Sequence, residues 1–137
     1  MIREASLSEM RSKNIPKECR VLANRGRGND ELAPADALFA ELTARKAELE
    51  LEVGKGSAEA HNQAFLDCDF ERRFRKQIQG DAAPMARLAA IAARSASEDV
   101  YLVCYEGPTK ACHRRMLMRM AEELFDAAIA LKGIEPT

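Results

Sequence analysis

Cys104, Glu106, Cys112, His113 and Arg114 all fall inside VCYEGPTKACHRR, residues 103–115. A thiol beside an imidazole and several cations is placed to ionise, and a thiolate is a nucleophile. Either Cys112 or Cys104 can fill that role. His113 would carry the proton, and Glu106 would orient Arg114 or His113. Arg114 would hold an anion at a helix start, where unpaired backbone N–H groups favour negative charge. Arg25, far upstream, is a candidate second anion clamp. A plainer reading keeps the same residues as an internal ion pair that pins a strand to a helix, with Cys104 as strand core.

Spacing removes several sharper assignments. A phosphatase loop needs an arginine six residues after its cysteine, and that position is Lys110. No Cys-x-x-Cys, Gly-x-Gly-x-x-Gly or P-loop motif is present. Cys104, Cys112 and His113 are three possible metal ligands, but their spacing is not a usual zinc pattern, and Cys19 or His61 would have to complete it. The sequence therefore assigns no metal and no cofactor.

These residues need elements to position them. DVYLVCY reads as a strand and GPT as a turn, with Thr109 as the N-cap of a final helix from about Lys110 to Leu131. On that helix Leu117, Met120, Leu124 and Leu131 form the apolar stripe. Arg115, Arg119, Glu122, Glu123 and Asp126 lie opposite, so Arg115 is expected in solvent, while His113 and Arg114 turn to the apolar side. A buried-side arginine needs a partner: Glu106, a bound anion, or both.

Upstream, CRVLANRG (19–26) reads as a strand and the first ten residues as a short edge strand. Pro34 opens a helix carrying Ala35, Leu38, Phe39, Leu42 and Leu49 on one face, broken by GKGS at 54–57. The segment from 57 to Gly80 is helical with its apolar residues on two faces, which a bend or two shorter helices would satisfy. Asp81 caps a further helix. The expected fold is α/β, a small, mainly parallel sheet flanked by helices in a Rossmann-like three-layer arrangement or an incomplete variant of one, forming a single domain over 1–137.

Formal net charge is −1, which does not advertise a nucleic-acid binder. Basic residues cluster at Arg3, Arg11, Lys13, Lys17, Arg20, Arg25 and Arg27, and again at Lys110, Arg114, Arg115 and Arg119; brought together they would make a positive surface. No run reaches the roughly 20 apolar residues of a bilayer span, and MIREASLSEMRSK lacks the apolar core of a secretory leader. A cytoplasmic protein with no membrane partner is expected. Cys19 and Cys68 read as small buried hydrophobes.

The run LVCYEGPTKACHRRML resembles the hallmark of the domain-of-unknown-function 488 family: an apolar strand, Cys-x-Glu, a short turn, then Cys-His-Arg opening a helix. RVLANRG followed by ELAPADALF resembles that family's early strand, arginine-bearing loop and Leu-Ala-Pro segment, with Arg25, Leu32, Ala33 and Pro34 as the matching residues. The resemblance implies a compact α/β domain with a small, largely parallel sheet, and brings no substrate. Ending soon after the last helix, the chain is expected to lack a closing C-terminal strand. The functional expectation is a cysteine, histidine and arginine site that binds, and as an enzyme would transform, a phosphate-bearing small molecule or nucleotide. The alternative is a non-catalytic nucleotide or nucleic-acid binding module. Oligomeric state is not set by the sequence.

Overall fold

The structure is a computed structural model that describes residues 1–135; the last two residues of the expected 1–137 span lie outside it. Four parallel strands form one sheet in the order β2-β3-β1-β4: β1 Ile2–Ser6, β2 Arg20–Leu22, β3 Val100–Cys104 and β4 Ile129–Ala130. The helices are α1 Leu7–Ser12, α2 Asp36–Val53, α3 Ala58–Asp67, α4 Phe70–Gln79, α5 Ala82–Ser95 and α6 His113–Phe125. This is the expected small α/β architecture with helices on a parallel sheet.

Two-residue alternation along the strands divides the core. Ile2, Val21, Ala23, Val100 and Leu102 face one side, where α5 and α6 lie on the sheet and α2 to α4 stack outside them. Ala5 and Val103, joined by Leu22 and Tyr101, face the other, covered by the short α1 through Leu7 and Met10. The two outer layers are therefore unequal. The same alternation turns Glu4 and Cys104 toward α6.

The local signals explain the helix boundaries. Ser6 and Glu9 form a reciprocal capping box: the Glu9 backbone N–H donates to Ser6 Oγ at 3.1 Å and the Ser6 N–H to Glu9 Oε1 at 3.2 Å. Asp69, at φ 51°, takes the left-handed turn that separates α3 from α4. The expected bend is thus two helices. Asp81 caps α5 by accepting from the Ala83 N–H at 3.2 Å.

Four expectations need correction. The first strand is central, not an edge, because β3 and β4 pair on both its sides and Ile2, Glu4 and Ala5 are buried. The final helix begins at His113, with Cys112 in the N-cap position; the Thr109 carbonyl instead accepts from Asn62 Nδ2 at 2.9 Å. That helix ends at Phe125, because Asp126 turns left-handed (φ 57°), and β4 then supplies the closing strand expected to be missing. Cys19 and Cys68 are half-buried rather than core.

Candidate functional site

The carboxyl ends of β2 and β3 meet the start of α6, the place where open α/β sheets put ligands. There Asn24, Arg25, His61, Cys104, Glu106, Cys112 and His113 share the wall of a cavity of ≈ 240 Å³. Phe39, Leu42, Phe65 and Phe70 make the rest largely apolar. Cys104, Glu106, Cys112 and His113, neighbours in the motif, thus share one wall, and Arg25, whose reach the sequence does not set, shares it with them. Arg114 is not part of the wall.

His113 is held firmly. Its Nε2–H donates to the Ala23 carbonyl at 2.8 Å, and Phe74 packs edge-on to the ring at 5.4 Å. That bond fixes the tautomer and turns Nδ1 toward Cys112, whose Sγ lies 3.8 Å away. The group orienting the imidazole is therefore a backbone carbonyl of β2's end, not Glu106.

The two thiols differ sharply. Burial pushes the Cys112 thiol up, but the hydrogen bond from Cys104, the adjacent His113 and the Arg114 charge outweigh it and leave it well below the usual thiol range. Cys104 goes the other way, raised by its hydrogen bond to Cys112 and by burial. Of the two coupled thiols, Cys112 is therefore the one favoured to ionise. All four cysteines are free thiols.

Behind the thiols lies a buried ion cluster that local sequence does not reveal. Glu4 on β1, 2% exposed, accepts from Arg114 Nη2 at 3.1 Å and from Arg115 Nε at 3.1 Å to each oxygen. The backbone N–H groups of Lys132 and Gly133 also donate to Glu4 Oε2, at 3.0 and 3.4 Å. Arg115, expected in solvent, is 1% exposed. It is buried because the segment after β4 folds over it: Nη1 donates to the Lys110 and Ile134 carbonyls at 2.6 and 3.0 Å, and Nη2 to Gly107 at 3.0 Å. Arg114, 0% exposed, also donates to the Glu106 carbonyl at 2.6 Å, but its Nε and Nη1 have no partner among the described residues. The carboxylate serving both arginines is Glu4, and Glu106 contributes only its backbone oxygen.

Two buried guanidiniums face one buried carboxylate, leaving one positive charge in excess. Such an excess is costly away from water unless an anion lies near. An ionised Cys112 would supply that charge.

Several of the remaining basic residues are held in ion pairs. Arg3 pairs with Asp99 at 2.9 Å, Arg119 with Glu135 at 2.8 Å and Lys13 with Glu9 at 3.2 Å. Arg25, at the cavity wall, donates to the Pro34 carbonyl at 2.6 Å and pairs with Asp36 at 3.2 Å. Among the described residues, no helix is long and apolar enough to cross a membrane.

The donor atoms of Cys104, Cys112 and His113 lie within 4.8 Å of one another, a set able to hold a thiophilic metal ion. Of the two residues considered for completing it, Cys19 packs against the opposite face of the sheet, whereas His61 lines the same cavity. Asn24 is a cavity residue that the motif did not signal, and His61 entered the sequence reading only as a possible further metal ligand. Their only sequence marks are a histidine between the buried Ala60 and Ala64, and an amide just past a strand's carboxyl end.

The model of the DUF488-N3a family, described as the active DUF488-N3 subclade, matches residues 8–124. The chain belongs to this family. That match spans the Cys-x-Glu and Cys-His-Arg segments and both strands that carry the DUF488-N3a cavity. No curated protein and no solved structure matches the chain.

Proposed function

We propose that the cavity is the reaction pocket of a thiol-dependent enzyme acting on a phosphate-bearing small molecule or nucleotide. The observation that carries this reading is the excess buried positive charge beside a Cys112–His113 pair whose imidazole is fixed from its far side. The Cys112 proton is held at His113 Nδ1, which leaves Sγ as the nucleophile. Sγ then bonds to an electrophilic carbon of the ligand, and the bond to the leaving group breaks with its electron pair. The leaving group takes the proton from Nδ1, and water later releases the bound fragment and restores the thiol. Arg25 at the rim is the available cation for a phosphate once it exchanges Asp36, which is 88% exposed, for the ligand. The description of the matched family as active agrees with an enzymatic reading.

The test is pH-dependent alkylation of Cys112 and Cys104, with and without phosphate or a nucleoside monophosphate. A reactive Cys112 that the nucleotide protects supports the proposal. Two inert thiols overturn it. Nucleotide binding that survives Cys112→Ser without any turnover in the wild type identifies a binding module instead.

A further inference from the structure

The cavity contains polar groups that the thiol chemistry does not use. Asn24 is 4% exposed, and neither Oδ1 nor Nδ2 has a hydrogen-bond partner among the described residues. His61 is equally buried; its Nε2–H donates to the Ala111 carbonyl at 2.7 Å, which leaves Nδ1 as a bare acceptor, also unpartnered. Burial pulls the His61 pKa down against the pull of that carbonyl, so the ring stays neutral. Buried amides and imidazoles are nearly always satisfied, and an orphan invites an explanation. Here three orphan atoms belong to two residues on the wall of one cavity.

Size and lining narrow the occupant. At ≈ 240 Å³ the cavity exceeds the roughly 150 Å³ apolar hole that accepts benzene. It falls short of the roughly 300 Å³ at which drug-sized pockets begin. Phe39, Phe65 and Phe70 suit a flat ring, and Phe65 already packs on His61 at 5.1 Å. One ring fits. Asn24 offers a donor and an acceptor side by side, the complement of a ring edge bearing an adjacent C=O and N–H. His61 Nδ1 accepts a further N–H.

We infer that this cavity is built for a single-ring nitrogen heterocycle with a lactam edge, the chemistry of a pyrimidine base, paired to the Asn24 amide. The inference rests on the cavity being the reaction pocket, and it specifies the part of a nucleotide that enters, leaving the phosphate outside near Arg25. The ring is thereby placed against Cys112 and His113, which share the wall with Asn24.

Calorimetric titration of the full chain with uracil, 1,3-dimethyluracil and benzene tests it, repeated on Asn24→Leu. Uracil should bind the wild type at least tenfold more tightly than dimethyluracil, whose ring N–H groups are blocked. Asn24→Leu should lose uracil affinity tenfold or more, keep benzene, and melt no lower than the wild type, because an unsatisfied amide has been removed. Uracil binding no better than dimethyluracil, absent uracil binding, or an Asn24→Leu affinity within twofold of the wild type overturns the inference. If Asn24→Leu does not fold, the dimethyluracil comparison on the wild type decides alone. Alkylation separates the two levels: a reactive Cys112 in a protein that ignores uracil sinks the lactam edge and spares the thiol chemistry.

Discussion

Gly133 lies flat against the guanidinium of Arg115, so closely that a Cβ on it would overlap Nη2, Cζ and Nε. No rotation of an alanine methyl relieves that overlap, so the arginine or the backbone must move. Gly133→Ala should therefore destabilise by about 1–3 kcal/mol. Gly107→Ala, where nothing lies within 4 Å of the added carbon, should be nearly silent. Thermal melts of the two variants check the contrast.

Glu4 holds two arginines and two backbone N–H groups, so Glu4→Gln leaves buried positive charge uncompensated. A loss of about 3–5 kcal/mol is expected, the range for breaking a buried pair from one side. Arg115→Met should cost more than Arg114→Met, since Arg115 also ties the Lys110, Gly107 and Ile134 carbonyls together. Urea denaturation curves give both comparisons.

At neutral pH iodoacetamide should label Cys112 well before Cys104. The Cys112 rate should level off below pH 9, because the Cys104 hydrogen bond, His113 and Arg114 overcome the burial that would raise its pKa. His113→Asn should slow labelling about tenfold while Cys104 stays silent. Peptide mass mapping across a pH series reads this directly.

Acid should weaken the α1 region in a definite window. The hydrogen bond from Lys132, opposed by burial and helped by the Ser6 N–H and Lys13, holds the Glu9 carboxyl down at about 2. A depressed carboxyl adds stability that is complete above its unfolded value of about 4.3 and fades as pH falls toward 2. Glu9→Gln should flatten the stability curve across that interval and leave its neutral-pH part parallel to the wild type. Chemical denaturation at stepped pH measures it.

Zinc should compete with alkylation. With three donors within 4.8 Å, zinc at micromolar excess should protect both Cys104 and Cys112, and Cys104→Ser should abolish protection of Cys112. Unchanged labelling in the presence of zinc would show that the three donors do not converge on one ion.

The motif was legible because its parts are local. Cys104 ends a strand and Cys112 precedes a helix, and the α/β pattern with its helical period placed them together. Arg115 was not legible. A helical wheel assigns it to solvent, yet the surface over it is made by Glu4 and by residues 132–134, separated from it by 111 positions on one side. Asn24 was readable only as the end of a strand, since an orphan amide is a property of the folded wall. β4 escaped because two residues carry no alternation to detect.

The union of Glu4, Arg115 and Gly133 also sets an order of events. Contacts spanning 110 to 129 residues close late, after local helices have formed. While a chain is being synthesised, Glu4 emerges first and waits for Arg114 and Arg115, and residues 132–134 arrive last. Until they do, the 106–110 turn lacks its anchor and the ion cluster beside Cys112 is incomplete.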